Sequence, residues 1–174
     1  MEFQRLTSPT DPRFAEAIAL YRQSFPYHEQ RENASQVEAL VHPDYHFDLI
    51  YDGNAFAGLL LYWETQDFIY VEHFCIEPAL RGRSYGQKAL ALLAQKGKPI
   101  VLEIDPPVDE LTRRRKAFYE RSGYRANPYP HVHPPYHGDC QGHPLVVLSF
   151  PDELSAEAYT HFHTYLFKQV MKGI

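Results

Sequence analysis

Residues 72–93 read EHFCIEPALRGRSYGQKALALL, a passage that changes character twice. It opens inside a run of aromatic and branched residues, 68–76, that reads as a strand, and closes in a helix carrying Ala89, Leu90, Leu93 and Ala94 on one face. Between them Arg81, Gly82, Arg83, Ser84, Tyr85 and Gly86 form a basic, glycine-containing loop. A strand, such a loop and then a helix is a physical recipe for holding phosphate. The first N–H groups of a helix have no internal partner, and the helix dipole favours an anion there. Glycine lets the backbone approach a ligand closely, and arginine adds charge-assisted hydrogen bonds. The passage lacks the glycine–lysine–serine/threonine ending of a P-loop and the spacing of a dinucleotide fingerprint. Taken alone, it also reads as an ordinary basic turn.

Working outward, residues 2–7 read as a first strand, and 12–25 as an amphipathic helix with Phe14, Ala17, Ile18 and Tyr21 on its apolar face. A second helix is expected over 32–41, burying Val37, Leu40 and Val41. Residues 47–51, 55–63 and 68–76 are separated by short polar turns and predict three antiparallel strands joined by hairpins. Downstream, 99–104 predicts a short buried strand, and 111–122 a helix closed by Gly123. A proline- and histidine-rich loop follows at 128–144, then a strand over 145–150 and a last helix over 155–171. With no repeat and no compositional break, the reading is one α/β domain over 1–174 with a mixed sheet.

Two stretches resemble one known family. The passage around Arg81 and Gly86 resembles the acetyl-CoA-binding motif of the GCN5-related N-acetyltransferase (GNAT) superfamily. Ser84 stands where that family usually has glycine; serine keeps its N–H and is a good helix N-cap, so phosphate binding is expected to survive. RRKAFYERSGYRANPY, residues 114–129, resembles the superfamily's later motif, with Ala117, Phe118, Tyr119, Glu120, Gly123 and Tyr124 matching. The order of strands and helices fits as well.

The resemblance implies a mostly antiparallel sheet with a splayed strand pair, flanked by helices on both faces, and a CoA-binding core over about 68–125. Acetyl-CoA, the implied cosubstrate, would lie in the V between strands 68–76 and 99–104. Backbone of Phe74, Cys75 and Ile76 would pair with the pantetheine arm, and amides from Arg81 to Gly86 would cradle the pyrophosphate. Direct acetyl transfer to an amine needs a neutral amine, a stabilised oxyanion and a proton for the departing thiolate. Tyr119 matches the family's usual acid. Glu72 is the expected base, with His73 beside it on the opposite face if strict alternation holds. Glu103, and His73 more weakly, are expected on the acceptor side. Cys75 reads as a small buried hydrophobe.

Composition bounds the partners. A formal charge of −5 argues against general nucleic-acid binding, and two cysteines argue against a disulfide scaffold. No apolar run is long enough to span a membrane and no signal-like start is evident, so a cytoplasmic protein is expected. Residues 1–80 hold 4 Lys/Arg against 13 Asp/Glu, whereas 81–174 hold 13 against 9, a balance that suits an anion in the second half and a cationic acceptor against the first. His131, His133, His137, Cys140 and His143 fit no standard zinc spacing, so no metal is expected, and the loop is expected to wall the acceptor pocket with Tyr129 and Tyr136. Tyr159, Phe162, Tyr165, Leu166 and Val170 form a stripe for the chain's own core, with a homodimer as the alternative. The expected activity is an N-acetyltransferase acting on a small-molecule or peptide amine. The alternatives are a non-catalytic CoA-binding module and, behind it, a metal-binding protein built on residues 131–143.

Overall fold

Runs of aromatic and branched residues broken by tight polar turns make a meander, and the computed structural model, which describes residues 1–172, builds it as β2 (Tyr45–Asp52), β3 (Ala55–Glu64) and β4 (Ile69–Ile76). β1 (Glu2–Leu6) pairs antiparallel with β2. β5 (Ile100–Ile104) joins β4 in parallel, the chain having crossed through α3 (Tyr85–Ala94). β9 (Val146–Phe150) and the two-residue β6 (Arg125–Ala126) complete a seven-stranded sheet in the order β1-β2-β3-β4-β5-β9-β6. The sheet is thus mixed and mostly antiparallel, as expected.

Two apolar cores lie on its two faces. On one, Leu20 and Tyr21 of α1 (Phe14–Ser24), Ala39 of α2 (Asn33–Ala39) and Phe162 of α5 (Ala156–Tyr165) pack on the strands. On the other, Ala89, Leu90 and Leu93 of α3 meet Tyr119 of α4 (Glu110–Arg121). Asp109 starts α4 with a capping box: its carboxylate accepts from the Thr112 amide at 2.7 Å, and the Thr112 hydroxyl accepts from the Asp109 amide. Among the described residues no helix is long and apolar enough to cross a membrane.

Two expectations need correction. α2 is short, and Val37 and Val41 are exposed; Leu40 is buried as expected, and Gln36 and Ala39 face inward with it, because the Gln36 amide donates to the buried Tyr45 hydroxyl at 2.8 Å. The last helix is not uniform either: α5 passes into a π-helical turn at Leu166–Val170, which buries Leu166 and Val170 in the chain's own core. The stripe through Tyr159, Phe162 and Tyr165 packs on that same core.

Strand β4 decides the site. It pairs with β5 only through Ile69↔Ile100, Tyr70↔Val101 and Val71↔Leu102, after which the strands part. On its other side β4 follows β3 to Ile76, but the register skips from Leu61↔His73 to Tyr62↔Val71 and leaves Glu72 as an extra residue. This bulge breaks the alternation of side chains. Glu72 and His73 therefore face the same side, correcting the expectation that they oppose one another; their carboxylate and imidazole approach to 4.0 Å. β3 also comes unusually close at Gly58, where a Cβ would stand 2.2 Å from the Cys75 carbonyl oxygen, so only glycine lets this part of β4 lie where it does.

Candidate active site

Where β4 and β5 part, a cleft of about 880 Å³ opens between them. Glu72, His73, Phe74, Cys75 and Ile76 of β4 line one wall and Glu103 of β5 the other. Arg81, Gly82, Ser84, Tyr85 and Gly86 close one end, and Tyr119 faces in from α4. Of the catalytic, CoA-binding and acceptor-side residues expected from the sequence, Arg83 alone is outside this lining, and it is exposed. Arg81 latches the loop to the strand, its Nε donating to the Ile76 carbonyl at 3.0 Å. Gly86 sits where α3 meets α4: a Cβ there would stand 2.9 Å from the Phe118 ring.

Ser84 is the loop's departure from expectation. It occupies the N-cap position of α3, but with φ +62 and ψ +10, and its hydroxyl makes no capping bond. It is the one non-glycine residue with positive φ among the described residues. The backbone turn, rather than a capping side chain, is what the position requires, which explains the glycine in the family motif. A left-handed L-residue costs roughly 1–2 kcal/mol. Ser84→Gly is therefore expected to stabilise the chain by up to ~1 kcal/mol, after glycine's greater unfolded-state entropy is set against that strain. Urea unfolding checks this, and a loss of stability would contradict it.

Tyr119 is buried against Phe118 and Tyr124, with ring centroids at 5.0 and 5.7 Å. Its hydroxyl has no hydrogen-bond partner among the described residues, and burial pushes its pKa up to about 12 despite Arg115 nearby. It is thus a phenol kept protonated in the cleft wall. Burial also raises the Cys75 thiol, so it is a poor nucleophile.

Glu72 is fully engaged. Its carboxylate accepts from Arg31 Nε at 2.7 Å, Trp63 Nε1 at 2.7 Å and the Tyr136 hydroxyl at 2.8 Å. Burial alone would raise its pKa, yet the Arg31 guanidinium and these donors hold it below the usual carboxylate range. His73 is also buried, with Nε2 2.7 Å from the Glu29 carbonyl oxygen. Only an N–H satisfies that oxygen, which assigns the lone pair to Nδ1. Among the described residues Nδ1 is buried without a partner, and burial holds the imidazole below its ordinary pKa.

Glu103 accepts from the Tyr70 hydroxyl and is bound by His131 Nε2, while His133 Nε2 lies 4.0 Å away. These partners keep its carboxyl below the usual range in spite of burial. The histidine-rich segment carries a small ribbon, β7 (Val132–His133) with β8 (His143–Pro144), and folds over the open end of the cleft. It contributes His133, Tyr136 and His143 to the lining, whereas Tyr129 stacks on Tyr159 at 4.2 Å away from it. The cationic run on α4 is spent on neighbours, with Arg115 on Asp105 at 2.6 Å and Arg114 on Glu110 at 3.7 Å. Sequence reasoning missed Arg31, which no periodicity marks as buried, and the cleft residues His28 and Glu29, which sit in the polar run HEQRE at 28–32.

A mixed sheet splayed at one parallel pair, with a glycine- and arginine-containing loop and a helix N-terminus at the mouth of the cleft, is the architecture that the sequence resemblance implies. The model of the acetyltransferase (GNAT) family matches residues 14–124, well over half of the chain. The chain belongs to that family. A solved GNAT-family protein of Bacteroides thetaiotaomicron, named as an acetyltransferase, is 32% identical, with 98% of each chain covered and a TM-score of 0.91. YjbC of Bacillus subtilis (strain 168), also named as an acetyltransferase, is 33% identical over 104 residues, which are 58% of this chain and about half, 52%, of that relative. An aminoglycoside 6′-N-acetyltransferase solved with coenzyme A shares the fold at 16% identity, with a TM-score of 0.57 over 86% of this chain and 96% of its own.

Proposed function

We propose that the protein transfers the acetyl group of acetyl-CoA directly to a primary amine of a small molecule or peptide. The observation that carries this reading is the unpartnered inner edge of β4 running into the N-terminus of α3, with the free Tyr119 hydroxyl facing it across the cleft. The coenzyme A bound to the structurally similar aminoglycoside enzyme supports the choice of donor. Backbone groups of Phe74, Cys75 and Ile76 bind the pantetheine arm as an added strand would, and the amides of Arg81–Gly86 take the pyrophosphate. The amine nitrogen attacks the thioester carbon, a β4 backbone N–H at the bulge stabilises the oxyanion, and the carbon–sulfur bond breaks. Tyr119 gives its proton to the leaving thiolate.

For the proton leaving the amine, the geometry favours His73 over Glu72. His73 Nδ1 offers a buried lone pair, whereas Glu72 is held by three donors and acts through its neighbours by keeping Arg31, Tyr136 and the bulge in place. Glu103 and the acidic first half of the chain attract a cationic acceptor before it is deprotonated.

The test is thiol release from acetyl-CoA against a panel of amines. Turnover with an amine supports the reading; tight CoA binding without turnover on any amine would favour a non-catalytic binding module. His73 adds a pH prediction. Its depressed pKa means the base form is present above, and lost below, a value under 6.5. We expect kcat to rise with pH through that value and to level off by neutrality. His73→Gln, which keeps an N–H for the Glu29 carbonyl, is expected to lose the acid limb and to run at a lower, flat rate. An unchanged limb in that variant would return the role to Glu72.

A further inference from the structure

The histidine-rich segment sends one side chain into a cluster that acetyl transfer does not use. His28 and Glu29, on a 3₁₀ turn after α1 (Tyr27–Glu29), meet His143 of β8, and one ligating atom from each lies within 4.8 Å of the other two. The rings of His28 and His143 are 5.5 Å apart. The two histidines and the Glu29 carboxylate have no hydrogen-bond partner among the described residues, although His28 Nε2 is 3.7 Å from Glu29 Oε1. Behind His143, Nε2 stands 3.3 Å from Asp105 Oδ1, and Asp105 is itself held by Arg115 at 2.6 Å. A carboxylate behind an imidazole is the arrangement that orients ligating histidines.

Each of the segment's other histidines has at least one ring nitrogen engaged. His131 is bound between Glu103 and the Tyr159 hydroxyl, His133 Nδ1 is 2.6 Å from the Pro134 carbonyl, and His137 Nε2 is 2.9 Å from the Tyr27 carbonyl. His137 also stacks on Tyr27 at 4.0 Å, which docks the segment onto the turn carrying His28 and Glu29. The convergence therefore joins two connections more than a hundred residues apart in sequence, which is why spacing within 131–143 did not reveal it.

We propose that His28, Glu29 and His143 bind one divalent transition-metal ion, of the zinc class, at the acceptor end of the cleft. Two imidazoles and one carboxylate suit such a cation, whereas calcium and magnesium prefer all-oxygen sets. Tetrahedral zinc, with ligands at about 2.0–2.1 Å, needs donors roughly 3.3 Å apart. His28 is exposed, and Glu29 and His143 are partly so, leaving their side chains room to close from the observed separation. All three residues line the cleft. The bound ion ties the turn after α1 to the histidine-rich segment, the two walls through which an acceptor enters. It therefore both stabilises the fold and narrows that entrance.

The experiment is a calorimetric titration of tag-free, chelator-stripped protein with zinc chloride, repeated with cobalt to read ligand-field absorption. One ion per chain with micromolar affinity is expected, together with a rise in Tm. Affinity should fall at least tenfold in His28→Ala, His143→Ala and the near-isosteric Glu29→Gln, and stay unchanged in His161→Ala, an exposed histidine outside the cleft. Circular dichroism of each variant separates lost folding from lost binding, and Glu29→Gln keeps the question open to test should an alanine variant not fold. Absence of saturable one-to-one binding, or wild-type affinity in both histidine variants, overturns the site. The readout is bound metal, so its failure is distinct from a failure of acetyl transfer.

Discussion

Tyr119→Phe is expected to lower kcat by about 10²-fold while leaving CoA affinity within a few-fold of wild type. The substitution removes one oxygen that bonds to no group among the described residues and keeps the ring that packs on Phe118 and Tyr124. Stability should thus hardly change, which separates an acid role from a packing role. Burial holds the phenol protonated up to about pH 12, so Tyr119 itself introduces no alkaline loss of activity in the working range. Steady-state kinetics with thiol detection decides the matter. An unchanged kcat would mean that solvent protonates the thiolate and that Tyr119 is only a wall of the cleft.

Arg31→Met is expected to cost roughly 3–5 kcal/mol of stability, which for a chain of this size lowers Tm by about 6–20 °C. The Arg31 and Glu72 side chains are 2% and 0% exposed, so neither charge has water to fall back on. Arg31 also donates to the Val170 carbonyl at 2.6 Å and to Ser35 at 3.1 Å, with its guanidinium 5.5 Å from the Trp63 ring. It thereby fastens the π-helical turn and α2 to the bulge of β4. Removing it strands the Glu72 carboxylate, and the sign of the pH effect follows. The wild-type pair has a depressed carboxyl pKa, so its contribution is present above the unfolded value and lost as pH falls through the folded one. In the variant the carboxyl pKa rises, so the deficit should shrink on acidification. Arg31→Met combined with Glu72→Gln, whose amide oxygen accepts from Trp63 while its NH2 donates to the Tyr136 hydroxyl oxygen, should recover much of the loss. Urea unfolding at two pH values checks both statements. A single variant within ~1 kcal/mol of wild type would refute the anchoring role.

The parts of this molecule that were legible in the sequence are those governed by local chemistry. Glycines and arginines between a strand and a helix marked the loop at 81–86, and Phe118, Tyr119 and Gly123 marked the helix facing it. Hairpin turns and the change of period marked the sheet. What stayed hidden depends on tertiary register. A one-residue bulge at Glu72 turned His73 onto the same face, and no propensity encodes that. The turn at Ser84 is left-handed because of where the chain must go next, not because serine prefers it. Val37 and Val41 fit a helical stripe yet face solvent, since Gln36 found a buried partner in Tyr45. Arg31 looked like one of few cations in an acidic half, and its partner lies 41 residues away.

The central claim, that the V between β4 and β5 receives acetyl-CoA, is tested most directly by calorimetric titration of the protein with acetyl-CoA and with CoA. Saturable binding of one molecule per chain at micromolar concentration is the predicted result, carried by the loop at 81–86 and the open edge of β4. No heat of binding with either ligand up to millimolar concentration would contradict it.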